Sequence, residues 1–134
     1  MGNQNVAVVT QTTHNIQIEV KPQFIPEESD KSKNYFFFAY SVKIKNLGNV
    51  PAQLLNRHWI ITNGFGTTEE VRGPGVVGLQ PIIMPGQDFE YSSFCSLATP
   101  TGSMRGTYQM SFDDGSNQEI PIPQFYLVEP NSYH

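Results

Sequence analysis

Between Tyr35 and Asn46 every second residue is large and apolar: Phe36, Phe38, Tyr40, Val42 and Ile44 fall on one side, and Ser41, Lys43 and Lys45 on the other. Side chains of an extended strand point alternately to opposite faces, so this period of two demands a half-buried β-strand and rejects an amphipathic helix. The same pattern turns Ile16, Ile18 and Val20 inward against Gln17, Glu19 and Lys21. It also turns Met104, Tyr108, Met110 and Phe112 inward against Arg105, Thr107, Gln109 and Ser111, and lets Phe89 and Tyr91 alternate with Asp88 and Glu90. No segment carries a sustained helical period.

The punctuation between these runs suits antiparallel sheets. Asn46-Leu47-Gly48-Asn49-Val50-Pro51, Asn63-Gly64-Phe65-Gly66 and Asp113-Asp114-Gly115-Ser116-Asn117 combine residues that tolerate positive φ with residues that end pairing, and each reads as a turn between strands. Pro22 to Lys33 is polar and acidic and reads as a mobile loop. Pro121 and Pro123 cannot donate to a central ladder, so Glu119 to Val128 reads as an edge strand that bends at its prolines before Phe125 and Leu127 return to the core. The expected fold is all-β, two packed antiparallel sheets in a sandwich. Residues 1–7 are expected to form a flexible N-terminus and residues 8–134 a single domain.

A chain of 134 residues suffices for one core without staples. The single Cys95 cannot pair within the chain, and the N-terminus shows neither the basic start nor the apolar run of a signal peptide, which points to a reduced, cytoplasmic protein. No apolar stretch reaches membrane-spanning length. A net charge of −4 with scattered basic residues leaves no footprint for nucleic acid or anionic membrane.

Glu70 to Gly86 contains the string Gly73-Pro74-Gly75-Val76-Val77-Gly78, which has the G-x-G-x-x-G spacing of a dinucleotide site. Such a site needs a helix after the glycines, whose free N–H groups face a pyrophosphate. Here β-branched Val76, Val77, Ile82 and Ile83, and the breakers Pro81, Pro85 and Gly86, follow instead, and Pro74 removes an amide from the cradle. The run reads as a shaped connection between strands, with at least one of Gly73 and Gly75 in backbone space closed to other residues. Other chemistry is sparse. Cys95 falls on the alternation side of Phe89 and Tyr91 and reads as a buried thiol, no nucleophile elbow is present, and His14, His58 and His134 stand far apart. Asp113 to Asn117 lacks the terminal glutamate of a calcium loop.

Several of these motifs together resemble the bacterial ApaG family. They are Arg57-His58-Trp59, the glycine run, Pro85-Gly86 before an acidic-aromatic strand, Thr99-Pro100-Thr101-Gly102-Ser103-Met104-Arg105-Gly106-Thr107-Tyr108-Gln109-Met110, and Ile122-Pro123-Gln124-Phe125-Tyr126-Leu127. The likeness runs from about Ile16 to His134. It implies a fibronectin type III or immunoglobulin-like β-sandwich and a loose association with cobalt and magnesium tolerance, with no known reaction and no cofactor. Two positions depart from the family pattern: Pro74 stands where relatives usually carry glutamate between the first two glycines, and Phe94 where a glycine is usual. The first departure removes a carboxylate a metal could use.

Arg57, Trp59, Leu55 and Ile61 are expected on one strand face, with His58 on the other. Trp59 reads as a core anchor with Arg57 at its rim, in reach of a cation–π contact. The sharper reading groups Arg57, His58, Trp59, Arg72, Gly73, Gly75 and Gly78 into a groove for an anion or a partner's peptide. The expected function is a non-enzymatic interaction domain with a protein partner, and weak self-association is compatible with it. The open edge is expected at Asn15 to Lys21 or at a strand adjoining Arg72 to Gly86. The competing readings are an anion- or nucleotide-binding module using the Gly73 to Gly78 loop, and a weak divalent-cation sensor.

Overall fold

The computed structural model describes residues 7–132. The apolar faces read from the sequence close on one another as two antiparallel sheets. One has the order β1 (Val9–Thr13), β2 (Ile16–Phe24), β3 (Phe36–Asn46), then β7 (Asp88–Leu97). The other has the order β5 (Thr68–Pro74), β4 (Ala52–Asn63), β8 (Thr101–Phe112), β9 (Asn117–Val128), and the short β6 (Ile82–Ile83) also pairs with β4. Among the described residues there is no α-helix.

All five inward residues of β3 and the inward residues Ile16, Ile18 and Val20 of β2 are buried, and across the core they meet Trp59, Met104, Tyr108, Met110, Phe112, Phe125 and Leu127. Trp59 is the hub. Tyr40, Tyr108 and Phe125 approach it with ring centroids 5.5, 6.3 and 5.8 Å away in edge-on geometry, the arrangement that aromatic quadrupoles favour.

Three details differ from the sequence reading. Pro22 to Lys33 is not a loop throughout: β2 continues to Phe24 with Pro22 opposite Tyr40, and the connection is then ordered by short 3-10 turns at Pro26–Glu28 and Lys31–Lys33. Asn15 to Lys21 is not an open edge, because β1 pairs along it from Val9↔Val20 to Thr13↔Ile16. The two-residue turn that allows this is His14-Asn15, both at positive φ. Leu55 does not share the buried face of Trp59, because a bulge between Leu54 and Asn56 shifts the phase of β4 and leaves Leu54 inside. The turn Asn46 to Pro51 joins two strands as expected, and it crosses from one sheet to the other. The expected flexible segment 1–7 lies, apart from Ala7, outside the described residues.

β9 behaves as its prolines require. It pairs only with β8, its register slips opposite Met104/Gly106 around Pro123-Gln124, and Phe125 and Leu127 return to full burial.

Candidate functional site

β4 and β5 form a hairpin in which Arg57 lies opposite Gly73 and His58 opposite Arg72. Neighbouring positions face opposite sides of a sheet, so this register divides the sequence-derived groove in two. Arg57, Trp59 and Gly73 belong to the inner side. His58 and Arg72 belong to the outer side.

On the inner side the guanidinium of Arg57 lies flat over Gly73, and Nη1 donates to the carbonyls of Pro74 at 3.0 Å and Gly75 at 2.9 Å. This replaces the cation–π contact expected with Trp59 by a clamp on the start of the loop. Beneath it sit three tyrosines. Burial raises the phenol pKa of Tyr40, Tyr91 and Tyr108 above the ordinary value, the charge of Arg57 works the other way on each, and the Tyr91 and Tyr108 hydroxyls are hydrogen-bonded to one another. Cys95, expected as a buried thiol, is only half-buried, yet desolvation still pushes its thiol up to about 11, with the charge of Glu69 adding to it. A thiol so placed is a poor nucleophile.

On the outer side Glu70 is the centre of a small ionic cluster. Its Oε1 lies 2.8 Å from His58 Nε2 and accepts from Arg72 Nη2 at 3.2 Å. The hydrogen bond with His58, then that from Arg72, holds the carboxyl below its ordinary pKa.

The glycine loop is a tight hairpin, not a cradle. Val76 and Leu79 exchange both backbone hydrogen bonds, at 2.8 and 2.9 Å, across a turn whose central residues Val77 and Gly78 have φ of 44° and 80°. Positive φ at both positions is the backbone of a type I′ turn, and a β-branched residue there is strained. Gly75 at φ 61° meets the sequence expectation: a Cβ on it would stand 2.1 Å from the Leu79 carbonyl oxygen. Val76 is buried, whereas Val77, Leu79, Ile82 and Met84 are exposed. No helix follows Gly78.

Two features went unseen in the sequence. Asn46 takes the next inward slot after Ile44, fully buried, and its amide donates to Val50 and Ile83 carbonyls at 2.8 and 2.9 Å while its oxygen accepts from Gly48 N–H. A polar residue in the inward phase of β3 was the signal. The second is a cavity of about 1290 Å³ between the sheet ends, walled by Phe24, Phe38, Tyr126 and Val128, where Lys31 Nζ lies 3.1 Å from the buried Glu129 carboxylate. Among the described residues, no group of three or more His, Cys, Asp or Glu side chains is placed to hold a metal ion, and no helix is long and apolar enough to cross a membrane.

Fold and site together define a two-sheet antiparallel β-sandwich whose distinguishing element is a clamped glycine hairpin following an edge strand. The model of the ApaG domain matches residues 26–112, and the chain belongs to that family. It is 51% identical over 121 residues to Protein ApaG of Dechloromonas aromatica, covering 90% of this chain and 95% of that one. It is 51% identical over 126 residues to Protein ApaG of Pseudomonas aeruginosa, covering 94% and 100%. A crystal structure of a Bordetella pertussis protein designated ApaA superposes with a TM-score of 0.86 at 47% identity, over 90% of this chain and 98% of that one.

Proposed function

We propose that the domain is a non-enzymatic protein-interaction module that acts in the cytoplasm and binds through the free edge of β5 and the apolar tip of the Val76 to Leu79 hairpin. One observation carries this reading: among the described residues no strand pairs with the outer edge of β5, and the exposed apolar side chains of Val77, Leu79, Ile82 and Met84 follow it. Main-chain groups of an edge strand supply affinity to an added strand, and neighbouring side chains supply selectivity. Arg57 holds the hairpin from below by its bonds to Pro74 and Gly75, so a partner meets a surface already shaped, which lowers the ordering cost of binding.

The anion-binding alternative is weaker on the same geometry. Arg57 spends Nη1 on carbonyls, Pro74 offers no amide, and the turn at Val77-Gly78 closes on itself. In this reading the association with cobalt and magnesium tolerance that the family likeness implies is indirect, through the partner.

The experiment is affinity capture from cells with the intact chain and with a Val77→Asp/Leu79→Asp double variant, which alters exposed positions only. Proteins retained by the first and lost by the second are the expected result. Identical retention by both would overturn the reading.

A further inference from the structure

We infer that the free edge of β5 pairs with β5 of a second copy of this chain, antiparallel about a two-fold axis through Val71. The inference rests on the reading of that edge as the binding surface and names one occupant for it.

The direction of the unpaired groups comes first. At the two ends of the β4/β5 ladder Asn63 N–H donates to Thr67 and Gly75 N–H donates to Leu55. Hydrogen-bonded pairs alternate along an antiparallel ladder. Thr67, Glu69, Val71, Gly73 and Gly75 therefore turn their backbone groups toward β4, and Thr68, Glu70 and Arg72 turn theirs outward. Pro74 also faces outward, where it has no N–H to donate and its carbonyl already accepts from Arg57, which closes that end of the edge.

Charge then selects the register. An axis through Glu70 sets that carboxylate against itself, and an axis through Arg72 sets that guanidinium against itself. Like charges directly opposite destabilise a sheet, and unlike ones stabilise it. With the axis through Val71, Glu70 of each copy faces Arg72 of the other. The two residues have outward N–H and C=O groups, so each such pair exchanges both backbone hydrogen bonds. Charged residues ordinarily guard an edge against pairing. On β5 their order, Glu70 then Arg72 about one central residue, is self-complementary.

The ends of the strands agree with this register. Beyond the paired segment, which ends at Thr68 and Pro74, the two-fold turns the tip of the β4/β5 hairpin, where Phe65 is 79% exposed, toward the glycine-hairpin tip of the other copy, where Val77 is 55% exposed. Leu79, 53% exposed, lies beside it. By symmetry this contact occurs twice, and each apolar tip covers the other. An isologous contact of this kind closes at two copies.

Sedimentation velocity of the full chain over a concentration series tests the inference. The intact chain is expected to pass from monomer to dimer as concentration rises. Glu70→Arg and Arg72→Glu, each of which sets like charges opposite one another, should each weaken self-association at least tenfold. An equimolar mixture of the two variants should regain it as a heterodimer, because unlike charges then face each other again. Circular dichroism checks that these exposed substitutions leave the fold intact. As a second measurement, Val71→Cys in a Cys95→Ser chain should form a disulfide-linked dimer on mild oxidation, since a non-hydrogen-bonded pair on the axis brings the Cα atoms to about 4.5 Å. A chain that stays monomeric throughout the series, or charge variants that mixing does not rescue, would overturn the inference. A monomeric chain that still captures a foreign protein through Val77 and Leu79 would overturn the self-pairing and leave the interaction reading standing.

Discussion

Arg57 Nη1 donates to the main-chain carbonyl of Gly75 at 2.9 Å, tying the middle of β4 to the first residue of the glycine hairpin eighteen positions later. A charged donor on two carbonyls is worth about 1.5–3 kcal/mol for each such bond, which is enough to decide the conformation of a short loop. Arg57→Met should keep the aliphatic cover over Gly73, lose the clamp, and lower the urea midpoint with an unchanged slope. Amide exchange across Val76 to Leu79 should speed up in the same variant.

Gly75 and Gly78 provide an internal comparison. Both have positive φ, but a Cβ at Gly75 strikes the Leu79 carbonyl whereas one at Gly78 meets nothing within 4 Å. Gly78→Ala is therefore expected to cost only the left-handed backbone penalty, about 1–2 kcal/mol. Gly75→Ala should cost more and distort the loop. Equilibrium urea unfolding of the two variants ranks them.

Asn46 bonds the end of β3 to the crossover and to β6; its side chain is buried, and its bond to the Ile83 carbonyl is the one made fully inside the fold. Asn46→Ala removes the partner of two carbonyls and one N–H, of which the Ile83 carbonyl is buried and those of Val50 and Gly48 are half-buried. Each such loss costs about 1–3 kcal/mol, so a fall on the order of 3 kcal/mol in unfolding free energy is expected.

The outer cluster gives a pH signature. Because Glu70 has a depressed pKa, its contribution to stability is complete above the unfolded carboxyl value of about 4.3 and is lost as pH falls through the lower folded value. Thermal midpoints of the intact chain and of Glu70→Gln should differ slightly at neutral pH and converge in acid. A gap that widened in acid would contradict the assignment.

A panel of ATP, pyrophosphate, Mg²⁺ and Co²⁺ at millimolar concentration should leave the thermal midpoint unmoved. A ligand present at about 100 times its Kd adds about 2.7 kcal/mol to native stability. A clear upward shift with pyrophosphate would revive the anion-binding alternative.

The two-sheet core was legible because apolar residues in β2, β3 and β8 keep strict period two, and Trp59, with Arg57 on its face only as a rim, is large and apolar enough to be read as a core anchor. β1 was not, since Thr10, Gln11, Thr12 and Thr13 carry no apolar alternation and the His14-Asn15 turn lacks the glycine that usually marks such a hairpin. The bulge at Leu55 is a property of the pair β4 and β8, and no single strand's pattern reveals it. The separation of Arg57 from Arg72 was hidden for a related reason. That Arg57 and Arg72 lie on adjacent strands could be read from the turn between them, but their faces depend on a register one residue fine, and Arg57↔Gly73 sets them apart. That a strand and not a helix follows Gly78 was legible because the prolines and the β-branched Ile82 and Ile83 are local signals.

The central claim, that partners dock on the β5 edge and the glycine hairpin, is tested most directly by residue-resolved amide exchange of the chain alone and with a captured partner or at self-associating concentration. The account expects new protection at Thr68, Glu70 and Arg72, whose N–H groups face outward in the free chain, together with slower exchange at the Val77-Gly78 turn. Protection confined to the cavity beside Lys31 and Glu129, with β5 unchanged, would contradict it.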